Sequence, residues 1–210
     1  MYNSPMPTSA TRYVIRLTLQ GVEHPIWRAL LIPSDATLDL LHAAIVRAMP
    51  WEDTHIHVFE IGKSRISDPR FEISSGPEGD ESMFTVGDVL PHVGSRITYV
   101  YDLSDDWRHD LEVREIREDE EQAFVCLGGE GAGPPEDCGG PMGFPDLLRA
   151  LAHPNHIDHE EKTAWLRDRR EHLAQYDERF VGEYDPREFD PMAVTRALSD
   201  LRLEYETDEV

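Results

Sequence analysis

Apolar and polar residues alternate over residues 14–19 (VIRLTL) closely enough to predict a strand, and residues 21–25 supply the turn that follows it. A second strand over 26–32 runs into Pro33. Leu38, Leu41, Ile45, Ala48 and Met49 then recur at helical spacing, with Asp35 or Thr37 as cap and Pro50 as the stop. Residues 55–61 return to strand patterning. A polar, Gly/Pro-containing stretch over 62–82 predicts a mobile connection, and 84–90 a short helix or turn. Strands are expected over 95–103 and 109–116, joined by a hairpin at 104–108, and another over 122–127.

After Gly143 the period becomes helical. Residues 146–152 predict a short helix closed by Pro154, and Asp158 with Glu161 forms a capping box for a longer one carrying Trp165, Leu173 and Tyr176. Asp190-Pro191 opens a last helix with Val194, Ala197, Leu198 and Leu201 on one face. The expected fold is α+β: a mixed or antiparallel sheet with a helical C-terminal region over 144–203. Its strand–strand–helix–strand start resembles the opening of a β-grasp fold. Residues 1–11 are expected to be a disordered lead, 12–203 a single domain, and 204–210 an acidic tail.

Composition narrows the function. Forty-two acidic residues against 20 basic give a formal net charge of −22, a field that repels phosphate backbones and disfavours non-specific nucleic-acid binding. Apolar runs of about four residues, such as 29–32, fall far short of the ~20 needed to span a bilayer. The first dozen residues lack an apolar signal core, so a cytoplasmic location is expected. Two cysteines do not make a disulfide framework there.

Rare residue types crowd into 99–144. His109 shares a strand face with Leu111 and Val113, so it points inward and needs a partner; Asp102, Glu136 and Asp137 are the candidates. Trp107 reads as a lid or loop anchor. Pro134 and Pro135 stiffen a loop that Gly139 and Gly140 allow to turn, presenting Glu136 and Asp137. His55 and His57, two apart on a predicted strand, face one side and form half of a candidate zinc or other divalent-metal site. Cys126 and Cys138 are open to three states: free thiols, a disulfide, or metal ligands shared with histidines. His153, His156 and His159 sit at a helix break and read as a solvated turn. No Walker A, dinucleotide-fingerprint, H-E-x-x-H or G-x-S-x-G pattern is present.

Five motifs carry a family resemblance: H-P-x-W-R near Trp27, L-x-x-L-H-x-x-I around His42, W-x-x-x-H-x-H at Trp51, His55 and His57, Y-D-x-x-D-x-W-x-H at 101–109, and P-P-E-D-C-G-G at 134–140. Over residues 12–203 the chain resembles the plasmid pRiA4b ORF-3-like family, some of whose members carry a transposon-passenger, resolvase-like label. The resemblance implies a compact α+β domain found in bacteria and archaea and on mobile elements, of undetermined activity, and it carries no catalytic residues. Serine-recombinase chemistry is rejected on the residues themselves. Ser104 stands beside Asp105 and Asp106, and the acidic C-terminal region offers no recognition helix.

Two functions remain. One is a binding or interaction module, associated with mobile elements, whose partner is a protein or small molecule met at Tyr101, Asp102, Trp107, His109, Glu136 and Asp137. The alternative is a metal-dependent hydrolase or nuclease built on the histidines and acids, with Cys126 and Cys138 as further candidate ligands.

Overall fold

The computed structural model describes residues 11–71, 79–118 and 121–201. Eight strands form one sheet: β1 (Thr11–Leu19), β2 (Trp27–Pro33), β3 (His57–Ile61), β4 (Ser64–Ser67), β5 (Gly79–Asp80), β6 (Arg96–Tyr101), β7 (Trp107–Glu118) and β8 (Val125–Glu130). Their order is β5-β4-β3-β6-β7-β1-β2-β8. Every pairing is antiparallel except β4 with β5, which makes the sheet mixed. Helix α1 (Leu38–Ala48) lies between β2 and β3 in the chain, completing the expected strand–strand–helix–strand start, and α2 (Val86–Val89) is a single turn. Helices α3 (Gly140–Ala152), α4 (His159–Leu173) and α5 (Pro191–Leu198) follow the last strand. No helix among the described residues is long and apolar enough to cross a membrane.

Strand parity decides the core. In β7, Trp107, His109, Leu111 and Val113 are buried while Asp110 and Arg114 are exposed, so one face of the strand is buried over 107–113. Registered beside them on the same face are Ile97, Tyr99 and Tyr101 of β6 and Ile15, Leu17 and Leu19 of β1. Helix α1 covers this face with Leu38, Leu41, Ala44, Ile45 and Ala48, and α3 adds Phe144 and Leu147. The opposite face carries ion pairs, including Arg108 with Glu60 and Arg96 with Glu112 at 2.8 Å, beside buried Val14, Leu31, Val58 and Val100.

Two expectations change. The connection over 62–82 contains β4, β5 and a 3-10 turn at Glu81–Met83; its residues 72–78 lie outside the described residues. Helix α3 begins at Gly140 rather than at 146, although Pro145 lies inside it. The reason is position. Pro141 occupies the first turn, where a missing N–H is harmless, and Pro145 forfeits only one of the first i→i−4 bonds. The expected lead (1–11) and tail (204–210) lie outside the described residues except for Thr11, which starts β1.

Candidate functional site

The loop over 131–140 crosses the end of the sheet where β3, β6 and β7 meet α1. Trp51 donates its indole N–H to the Pro134 carbonyl at 2.9 Å, and Tyr184 donates to Gly133 at 3.2 Å. Gly133 fits because a Cβ there would stand 2.1 Å from the Met49 carbonyl oxygen. At the far end Gly140, at φ +66°, donates its N–H to Asp105 at 2.9 Å. The loop is therefore stitched down at both ends, and Glu136 and Asp137 between them are held in place.

Glu136 is turned inward and buried. Tyr101 donates its hydroxyl to Glu136 Oε1 at 2.5 Å, and the Glu52 N–H adds a bond to the same oxygen at 3.0 Å. Arg169 of α4 reaches Glu136 Oε2 at 3.3 Å, Asp137 at 3.1 Å, and Glu52. Burial pushes the Glu136 carboxyl up from its usual range, with the Tyr101 and Glu52 bonds opposing that shift. Burial and the Glu136 acceptor together raise the Tyr101 hydroxyl.

His55 lies between two acids. Its Nδ1 is 3.4 Å from Asp102 and its Nε2 is 3.3 Å from Asp137, the latter too poorly aligned for a hydrogen bond. Both acids have positive φ, +55° and +60°, a region Asp tolerates better than most residues. The other Asp102 oxygen accepts from the Ser104 N–H at 2.9 Å and hydroxyl at 2.5 Å, and from the Asp105 N–H at 3.2 Å. Burial would raise the Asp102 carboxyl, but these bonds and the nearby imidazole outweigh it and hold it below its usual value. One ligand atom from each of His55, Asp102 and Asp137 lies within 4.8 Å of the others, the one such group among the described residues.

The expected histidine pair does not form. Strand β3 starts at His57, so strand parity does not extend to His55, and the two imidazoles point into different clusters. His57 pairs with buried Glu81 at 2.5 Å and stacks on His42. His42 in turn bonds the Tyr99 hydroxyl at 2.7 Å and Asp53 at 2.8 Å. The cysteines do not meet the histidines either. Both thiols are free, and neither belongs to a group of three or more ligand side chains among the described residues. Burial raises the Cys126 thiol; burial and Asp105 push Cys138 up to about 12. Protonated thiols are poor metal ligands.

His109 is also corrected. It is fully buried, and no side chain among the described residues hydrogen-bonds either ring nitrogen; its polar neighbours are the backbone groups of Trp107 and Tyr99, and Asp102, Glu136 and Asp137 do not reach it. Trp51 explains this. Its ring stacks on Tyr101 at 4.6 Å between centroids, meets His109 edge-on at 5.3 Å and Trp107 at 6.3 Å, and so separates the imidazole from the loop. Trp107, buried against Phe144, is a core residue rather than a lid. Of the expected site, Tyr101, Asp102, Glu136 and Asp137 come together around His55, while Trp107 and His109 stay in the core behind Trp51. His159 bonds the Ala150 carbonyl and His156 the Asp158 N–H, as befits an interhelix turn.

Behind Glu136 a cleft of about 590 Å³ opens between the 132–136 segment, the end of α1, α4, the 178–190 segment and α5. Sequence reasoning missed it, and missed Arg28, Glu52 and Arg169 on its wall. The signal for Arg28 was present: Leu30 and Ile32 face the core, so parity turns Arg28 the same way. Arg169 had no such signal, since it lies 117 residues from Glu52.

An α+β sheet protein with an acid–imidazole cluster beside a cleft is the class that fold and site define. The model of the plasmid pRiA4b ORF-3-like protein family matches residues 11–193, and the chain belongs to that family. It is 29% identical over 159 residues to the uncharacterized protein y4hQ of Sinorhizobium fredii (strain NBRC 101917 / NGR234), covering 72% of this chain and 78% of that protein. The crystal structure of a protein of unknown function, MM3350 from Methanosarcina mazei Go1, superposes with a TM-score of 0.71 at 28% identity, over 88% of this chain and 98% of that one.

Proposed function

We propose that this protein is a ligand-binding module, and that the cleft behind Glu136 receives the ligand. The observation that carries the reading is the cleft's size: about 590 Å³ lies within the roughly 300–1,000 Å³ typical of small-molecule sites. Its walls support the reading, because apolar side chains supply area and a few charged groups supply orientation. The plasmid-derived family name supports a setting on mobile DNA. The test is ligand-detected NMR of the full chain against a diverse metabolite panel. Saturable binding lost in Val181→Trp, which fills the mouth of the cleft, supports the reading, and no binder overturns it.

The His55–Asp102–Asp137 cluster favours a second reading, a metal-dependent hydrolase. One imidazole and two carboxylates suit Zn²⁺, Mn²⁺ or Fe²⁺ and leave positions open for water and substrate. We rank it second because the two ring nitrogens face different acids, and a single ion takes only one of them. Elemental analysis of protein purified without added metal discriminates: a stoichiometric signal lost in His55→Ala would establish the metal centre.

A further inference from the structure

Arg28 carries a charge that nothing in the described protein neutralises. Parity on β2 turns it into the core, where it is 1% exposed. Nε donates to the Ala48 carbonyl, and Nη1 to those of Trp27 and Glu130, each at 2.9 Å. The Phe189 ring covers the guanidinium carbon at 4.4 Å. Nη2 makes no hydrogen bond, and no carboxylate among the described residues pairs with it. By contrast Arg169, Arg179 and Arg196, on the same cleft, each have a carboxylate partner, and Arg170, which has none among the described residues, is half-exposed to solvent and donates to the Gly182 and Arg179 carbonyls at 3.0 and 3.4 Å. Burial draws Arg28 down to about 10, which still leaves it protonated at neutral pH. A buried ion normally has a counter-ion, because leaving it alone costs several kcal/mol.

From this position we infer that the cleft binds a small organic monocarboxylate with an apolar body, its carboxylate paired with Arg28. The inference deepens the binding-module reading and rests on it. Leu166, Leu173, Phe180, Tyr184, Phe189 and Val194 supply the apolar wall. Charge limits the ligand to one negative unit. Six acids, Glu52, Glu136, Glu178, Asp185, Glu188 and Asp190, line the cleft with five arginines, Arg28, Arg169, Arg170, Arg179 and Arg196, and the whole chain carries −22, so the surroundings stay net acidic and disfavour a doubly charged phosphate ester. The guanidinium's planar N–H edge suits a carboxylate oxygen, and the aromatic wall suits a ring or branched chain.

The experiment is calorimetric titration, with thermal shift, of the full chain at low salt against benzoate, phenylacetate and hexanoate. The corresponding amides and phenyl phosphate are the comparisons. At least one acid is expected to bind saturably, with its amide at least tenfold weaker and phenyl phosphate weaker still. Arg28→Lys keeps the charge but loses the planar fork, and is expected to weaken the acid at least tenfold. If that variant does not fold, Val181→Trp, at a 68% exposed position on the cleft, decides the location by abolishing binding. Equal affinity for acid and amide, tighter binding of phenyl phosphate, or acid binding untouched by Val181→Trp overturns the inference. The first two leave the cleft a binding site of other chemistry. Failure of every probe to bind overturns the inference, while the metabolite panel judges the broader reading separately.

Discussion

The imidazoles of His42 and His57 lie face to face, their centroids 3.4 Å apart and their planes 7° from parallel. Each is anchored at its edge by a different acid, His42 by Asp53 and His57 by Glu81. Two full charges that close repel by about 5 kcal/mol even at an effective dielectric of about 20. Burial, and with it the neighbouring His57 ring, lowers the pKa of His42.

Acid should destabilise the fold well above the carboxylate range. His42 and His109 both have folded pKa values below 6.5, the latter drawn to about 3 by burial. The unfolded chain therefore takes up protons first. Stability is complete above about pH 6.5 and falls as pH drops, His109 alone contributing a loss of about 1.4 kcal/mol per unit. Urea midpoints at pH 7.5 and 5.5 measure this, and equal midpoints would refute it.

His109→Leu is expected to hold or raise stability at pH 7.5, by up to about 1 kcal/mol, because it removes two buried nitrogens that make no well-aligned hydrogen bond. It should also flatten the pH dependence below 6.5. A loss of several kcal/mol at pH 7.5 would show that the imidazole has a partner, such as a bound water.

Tyr101→Phe should cost about 2 kcal/mol, since it removes a hydrogen bond to a buried acid. Tyr101→Phe combined with Glu136→Gln should cost less than the sum of the single changes. Additive losses in denaturant titrations would mean that the two side chains are not coupled.

Both thiols should be inert in the folded protein. With Cys126 buried and raised and Cys138 near 12, almost no thiolate exists at pH 8. A disulfide-exchange colour assay should report fewer than one reactive thiol in native protein and two in guanidinium. Rapid native labelling would place a sulfur in a different environment.

Much of the fold was legible because β7 over 107–113 and α1 each repeat one period cleanly, and β1 does so from Ile15 onward. β4 and β5 were not, because four polar-flanked residues and a two-residue pairing carry too little pattern to register. At the site, the inward turn of His109 could be read from Leu111 and Val113, but not the shield that Trp51 places over it. His42 was recoverable in principle, standing four residues after Leu38 on the buried side of α1. Reading His55 as part of the strand made it a companion of His57, and the strand begins two residues later. The grip of Arg169 on three acids depends on tertiary closure alone.

The stitched segment over 131–140 makes the two halves of the chain dependent on each other. Trimmed to its sheet, residues 11–130 would strand the Trp51 indole and the Tyr101 hydroxyl without acceptors and bare the aromatic surface that Phe144 covers. A shortened gene product of that kind should aggregate, so the helices after residue 140 are as much a part of the folding unit as the strands before it.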